Sequence, residues 1–142
     1  MVEIQIKSVF GNVLFKCKKE DNTIKKALEE AVIVGANLYG ADLYGANLGG
    51  ANLGGADLGE WGKIDSSADI LFVGGIGSRN DATTIYNTNK GIYVKCGCFN
   101  GTLDEFVDKV KETHKGNIHE RNYLALVEFA KIKFSDAKKT NP

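Results

Sequence analysis

The chain is poor in proline: among its 142 residues there is one, Pro142, at the last position. It lacks net charge, because Lys+Arg and Asp+Glu are both 18. No bulk electrostatic attraction therefore draws it to nucleic acid or to an anionic membrane. It lacks a long apolar run, and nothing approaches the ~20 residues of a membrane-spanning helix. The opening Met1-Val2-Glu3-Ile4-Gln5 lacks the basic, apolar and small-residue succession of a secretory signal. Cysteine is scarce and odd in number, with Cys17, Cys96 and Cys98, as expected of free thiols in a reducing cytoplasm. These absences exclude a membrane protein, a secreted cystine-rich scaffold and a simple basic DNA binder. What is present is ordinary: 43% hydrophobic and 25% charged residues, the balance of a folded chain rather than a disordered one. The length fits one domain or two small modules sharing a core.

Glycine is the exception. Nine of the 17 glycines fall between Gly35 and Gly62. From Ala36 the sequence runs ANLYG, ADLYG, ANLGG, ANLGG, ADLGE, a period of five held through five units. Ala recurs at 36, 41, 46, 51 and 56, Leu at 38, 43, 48, 53 and 58, with Asn or Asp between them. Gly closes the first four units, and Glu60 replaces it in the fifth. Five matches neither period available to regular structure. In an α-helix the leucines would advance about 500° per unit and scatter around the surface. In a strand they would alternate faces. A chain that turns a corner every five residues gathers them instead. Leu and Ala then point inward, Asn or Asp outward, and Gly takes the corner.

This pattern resembles the pentapeptide-repeat family, whose motif is a small residue, Asp or Asn, Leu or Phe, a variable polar residue, then Gly. The resemblance covers residues 36–60. It implies a right-handed quadrilateral β-helix with four units per coil. The central inward ladder would be Leu38, Leu43, Leu48, Leu53 and Leu58, and the small inward ladder Ala36, Ala41, Ala46, Ala51 and Ala56. The chain departs from the motif one residue after each Leu. Tyr39, Tyr44, Gly49, Gly54 and Gly59 stand where Ser, Thr or Arg is commoner. Five units make little more than one coil, a tower about 5–7 Å tall at the strand spacing. Some family members mimic a DNA rod and inhibit DNA gyrase. One turn of B-DNA is about 34 Å, about seven coils, so this topoisomerase-directed reading is the weaker alternative. So short a coil needs covers, supplied by its flanks or by a second copy of the chain.

The flanks have familiar signals. Residues 2–7 and 13–18 alternate around Gly11-Asn12, predicting a β-hairpin. Asp21-Asn22-Thr23 caps a helix with an apolar stripe at Ile24, Ala27, Leu28, Ala31 and Val32. That helix runs directly into the repeat and is placed to plug one end of it. Residues 70–73 are an apolar strand, and 83–88 with 91–98 form a second hairpin turning at Asn89-Lys90-Gly91. Thr102-Leu103-Asp104-Glu105 is a capping box, opening a helix with Leu103, Phe106, Val107 and Val110 inward and ending at His114-Lys115-Gly116. A last helix is expected over 119–135, with Tyr123, Leu124, Val127, Ala130 and Ile132 in the core. Residues 136–142 are expected to be a frayed tail. The C-terminal half is similar, less specifically, to modules that accompany such repeats in small bacterial and phage proteins, which implies no activity.

Few residues suggest chemistry. Gly77-Ser78-Arg79, after an apolar strand, is a candidate anion or partner site through backbone N–H groups. It is no P-loop, since no Gly-Lys-Ser/Thr follows, and a structural turn explains it as well. Cys96-Gly97-Cys98 puts two thiols on one face of a strand and, with His114 and His119, could be assembled into a zinc site, but the spacing is not the usual one. No metal or other cofactor is expected, and no catalytic set stands out. Tyr39 and Tyr44 are candidate interface residues, with packing against the flanks as the alternative. The expected molecule is α+β: a short pentapeptide coil between an N-terminal β-hairpin plus helix (1–35) and a C-terminal β-meander plus two helices (61–135). It is expected to be a cytoplasmic, non-enzymatic interaction or scaffold protein. Its expected partners are a second copy of itself, most simply in a dimer, and an unidentified protein, with no nucleic acid and no membrane.

Overall fold

The computed structural model describes residues 1–8, 10–43, 48, 50–76, 81–97 and 99–139. Among them it is α+β, with three α-helices and two antiparallel sheets. The chain divides into two compact units. One holds Met1–Ser67 with Thr88–Lys90, the other Ala68–Asn87 with Gly91–Pro142. Hairpin, first helix and pentads thus belong to a single unit. No helix among the described residues is long and apolar enough to cross a membrane.

In the first unit, β1 (Val2–Lys7) pairs antiparallel with β2 (Val13–Lys19), setting Ile4 opposite Cys17 and Ile6 opposite Phe15. Alternation places Ile6 and Cys17 on the buried face and the lysines in water. Asn22 pins the two strands together just before the first helix, its Nδ2 donating to the carbonyls of Val2 (3.2 Å) and Cys17 (2.8 Å). Thr23 then caps α1 (Ile24–Ile33), its side chain accepting from Lys26 N at 3.1 Å. Ala27, Leu28 and Ala31 are the buried stripe. The helix ends in a Schellman motif. Ala36 N donates to Ala31 O (2.9 Å) and Gly35 N to Val32 O (3.1 Å), with Gly35 at φ +76°. The stop is sharp because Gly35 takes the left-handed conformation, and the first pentad starts at once.

In the second unit, β3 (Ile70–Ile76), β4 (Asp81–Thr88), β5 (Gly91–Cys96) and β6 (Phe99–Thr102) form a sheet in sequential order. The expected strand over 91–98 ends early, at Cys96. Gly97 adopts φ +57° and turns the chain after Cys96; Cys98 lies outside the described residues. Thr102 and Glu105 make the reciprocal capping box that opens α2 (Leu103–Thr113). Hydrogen bonds from Thr102 hold the Glu105 carboxyl below its ordinary pKa. The last helix, α3 (Ile118–Lys139), runs four residues beyond the expected end at 135. Sheet and helices share a core of Ile85, Val94, Leu103, Phe106, Val110, Tyr123, Leu126, Val127, Ala130 and Phe134. Ile132, expected in that core, is 57% exposed; Leu126 and Phe134 fill it instead. On β4, burial pushes the Tyr86 phenol far above its ordinary pKa, so the ring stays neutral.

Candidate functional site

The first and fourth pentads are built the same way, the third and fifth share parts of that construction, and the residue types explain why. The Asn or Asp oxygen caps the backbone two residues on. Asn37 Oδ1 accepts from Tyr39 N (3.0 Å), Asn52 Oδ1 from Gly54 N (3.4 Å) and Asp57 Oδ1 from Gly59 N (2.9 Å). These are Asx turns, which only a short side chain with an oxygen can close. The Leu carbonyl then accepts from the Ala three residues later: Leu38 O from Ala41 N (3.1 Å), Leu48 O from Ala51 N (3.0 Å) and Leu53 O from Ala56 N (3.1 Å). The third residue of each turn is Gly at positive φ: Gly40 at +74°, Gly50 at +73° and Gly55 at +86°. That is what a type II turn demands. A Cβ on Gly55 would meet nothing within 4 Å, so Gly55→Ala isolates the backbone cost. It is expected to destabilise by about 1–2 kcal/mol, and Gly55→Asn by less, in urea denaturation. A neutral Gly55→Ala would contradict the turn assignment.

The corners bring the chain back beside itself. Asn37 and Asp57, twenty residues and therefore four pentads apart, form a parallel bridge, with Leu38 N donating to Asp57 O at 2.8 Å. Leu38, Leu48, Leu53 and Leu58 are buried, as are Ala41, Ala51 and Ala56; Ala36 and Leu43 are half-buried. Ala46 lies outside the described residues. Asn37, Asp42 and Asn52 are exposed.

The fifth unit breaks the pattern where Glu60 replaces Gly. The left-handed position moves one residue earlier, to Gly59 at φ +62°, and Gly59–Trp61 becomes a 3-10 turn. The chain then reverses. Asp57 pairs antiparallel with Lys63, Leu58 N donates to Gly62 O (2.8 Å), and Gly55 N donates to Ile64 O (2.8 Å). Trp61 and Ile64 are buried by this return. The return segment is held in turn by the β4–β5 turn. Thr88 Oγ1 donates to Trp61 O (2.6 Å), and Asn89 exchanges bonds with Lys63 through its Oδ1 (2.9 Å) and its N–H (3.1 Å). The second pentad is tied to the hairpin, with Ser8 bridging Ala41 and Asp42 N donating to Lys7 O at 2.8 Å. Helix α1 reaches the fourth pentad, where Glu29 Oε2 accepts from Asn52 N at 2.8 Å.

Residues 27–59 match the family model described as pentapeptide repeats (8 copies). The chain carries pentapeptide repeats. The match to the pentapeptide-repeat model begins inside α1, at Ala27, and ends at Gly59, one residue before the glycine is lost. The bridged pentads start only after Gly35. No curated protein and no solved structure matches the chain.

The other candidates separate. Tyr39 of the first pentapeptide repeat is half-buried, its ring edge-on to Trp61 at 5.1 Å and 81°. Tyr44, Gly77, Ser78, Arg79 and Cys98 lie outside the described residues. Cys17 and Cys96 are free thiols. Cys96 Sγ accepts from Thr83 Oγ1 (3.3 Å) and lies 3.8 Å from Tyr123 Oη. The His114 and His119 rings pack together at 5.5 Å, and His114 stacks on Tyr123 at 5.7 Å. Among the described residues no three His, Cys, Asp or Glu side chains converge on a metal position. Sequence reasoning missed Trp61, Ile64, Thr88 and Asn89 as the partners of the last repeat. Loss of Gly at position 60 was the one signal that the repeat ends there by turning back.

Proposed function

We infer that the protein is a non-enzymatic protein-interaction scaffold, that its pentapeptide repeats wind into one short right-handed quadrilateral β-helix, and that it works as a homodimer. The observation that carries this reading is the parallel bridge between Asn37 and Asp57. A four-sided coil needs one corner per pentad and returns after twenty residues to a neighbour in the same orientation, one strand spacing away. The repeated Leu–Ala turns supply such corners. Winding them would stack the buried leucines along one axis, where a solenoid of this kind keeps its apolar residues. In such a coil the end of β1, bonded to the second pentad, and the return through residues 62–64 would serve as lids. The outward Asn37 and Asn52 side chains close Asx turns, which supports a shaped surface rather than a reactive one. This points to recognition, not turnover.

Sedimentation equilibrium over a wide concentration range tests the self-association. The expected result is a species of twice the 15.4 kDa chain mass at micromolar protein. A mass fixed at that of one chain throughout would contradict it.

A further inference from the structure

Helix α3 carries two apolar stripes, and only one is used inside its unit. Tyr123, Leu126, Val127, Ala130 and Phe134 are buried. On the opposite side Ile118, Phe129 and Ile132 are 51%, 54% and 57% exposed, with Asn122 and Ala125 exposed between them. The outer series 118, 122, 125, 129, 132 has the alternating spacing of four and three that forms the seam of a coiled coil. At 100° per residue these five positions fall within an arc of about 80° on the helix surface. An isolated exposed apolar residue needs no explanation; a stripe in heptad register marks a contact surface.

The charges beside the seam select the occupant. Arg121 and Glu128 are both exposed. Each immediately precedes a seam position, so both occupy the same flank, seven residues apart. In a parallel pair this flank meets the other flank of the partner. In an antiparallel pair it meets its own counterpart, and Arg121 then faces Glu128 of the partner subunit while Glu128 faces Arg121 of the partner subunit. The same register lays Phe129 on Ile118 of the partner subunit and Asn122 beside Ala125 of the partner subunit. The small Ala lets the helices approach at the two-fold axis. An isologous interface must be self-complementary in this way.

The geometry points to a homodimer formed by antiparallel pairing of the outer face of α3 with the same face of a second copy, in the register that joins Arg121 to Glu128. This rests on the self-association inferred above and names its surface, which lies outside the pentapeptide repeats. The pairing is closed and two-fold, so it yields dimers and not filaments.

The test is sedimentation equilibrium on the full chain and three variants, with far-UV circular dichroism to confirm that each is folded. Wild type is expected to be dimeric and Phe129→Asp monomeric. Arg121→Glu, which places two like-charged pairs across the seam, is expected to weaken the dimer about tenfold or more. The double variant Arg121→Glu/Glu128→Arg restores opposite charges in the same register and is expected to recover near wild-type affinity. General damage to α3 would not be reversed by the second change. A dimeric wild type whose affinity is unmoved by Phe129→Asp and by Arg121→Glu overturns this surface and leaves self-association standing. A dimer weakened by Arg121→Glu but not recovered in the double variant overturns the antiparallel register. A monomeric wild type overturns both the surface and the self-association.

Discussion

Trp61→Ala is expected to cost about 3–5 kcal/mol, the range for removing a large aromatic from a packed interior. Trp61 is 5% exposed and is the only tryptophan in the chain. Its ring meets Tyr39 edge-on, a geometry that adds about 0.5–1.5 kcal/mol beyond burial. Through Tyr39 the indole joins the fifth pentad to the first, four pentads earlier. Its carbonyl also receives the Thr88 hydroxyl, so backbone displaced by the cavity would disturb the return segment as well. Because the substitution removes the only indole, urea unfolding is to be followed by circular dichroism. A loss under 1 kcal/mol would mean that Trp61 is not the cover of the last repeat.

In the monomeric Phe129→Asp background, Phe134→Ala is expected to cost a similar ~3–5 kcal/mol, whereas Ile132→Ala, two residues away, should stay within about 0.5 kcal/mol. Phe134 is 1% exposed and belongs to the core beneath the sheet; Ile132 faces outward. Loss of ellipticity at 222 nm follows the helices, and Trp61 emission follows the first unit separately. The contrast between neighbouring positions is the informative part. Equal effects, or a larger loss at Ile132, would mean that α3 presents its other face to the sheet.

The helix α3 also shows where sequence reasoning runs out. Its apolar residues satisfy two helical stripes at once. Hydropathy cannot say which stripe meets the sheet, so Ile132 is assigned inward with Tyr123 and Val127 while Leu126 and Phe134 are passed over. The strand over 91–98 fails for a related reason. Alternation continues smoothly through Cys96-Gly97-Cys98, and only the left-handed Gly97 turns the chain there. The pentads were legible because their information is local: an Asx oxygen, a Leu carbonyl and a Gly at positive φ lie within five residues of one another. Capping at Thr23 and Thr102 was legible on the same grounds. The return through Ile64 and its hold by Asn89 were not, because those bonds join residues remote in sequence whose types carry no pairing signal. At Tyr39 composition leaves interface and packing equally open, and nothing in the sequence signals the ring contact with Trp61.

The hydrogen bond from Leu38 N to Asp57 O tests the central claim most directly, because it exists only if four pentads bring the chain back beside its start. The measurement is a trans-hydrogen-bond scalar coupling between Leu38 ¹⁵N and Asp57 ¹³C′, with amide exchange at Leu38 recorded in parallel. A resolved coupling and a strongly protected Leu38 amide are the predicted result. A Leu38 amide that exchanges at the rate of an open chain, with no coupling to Asp57, would contradict it.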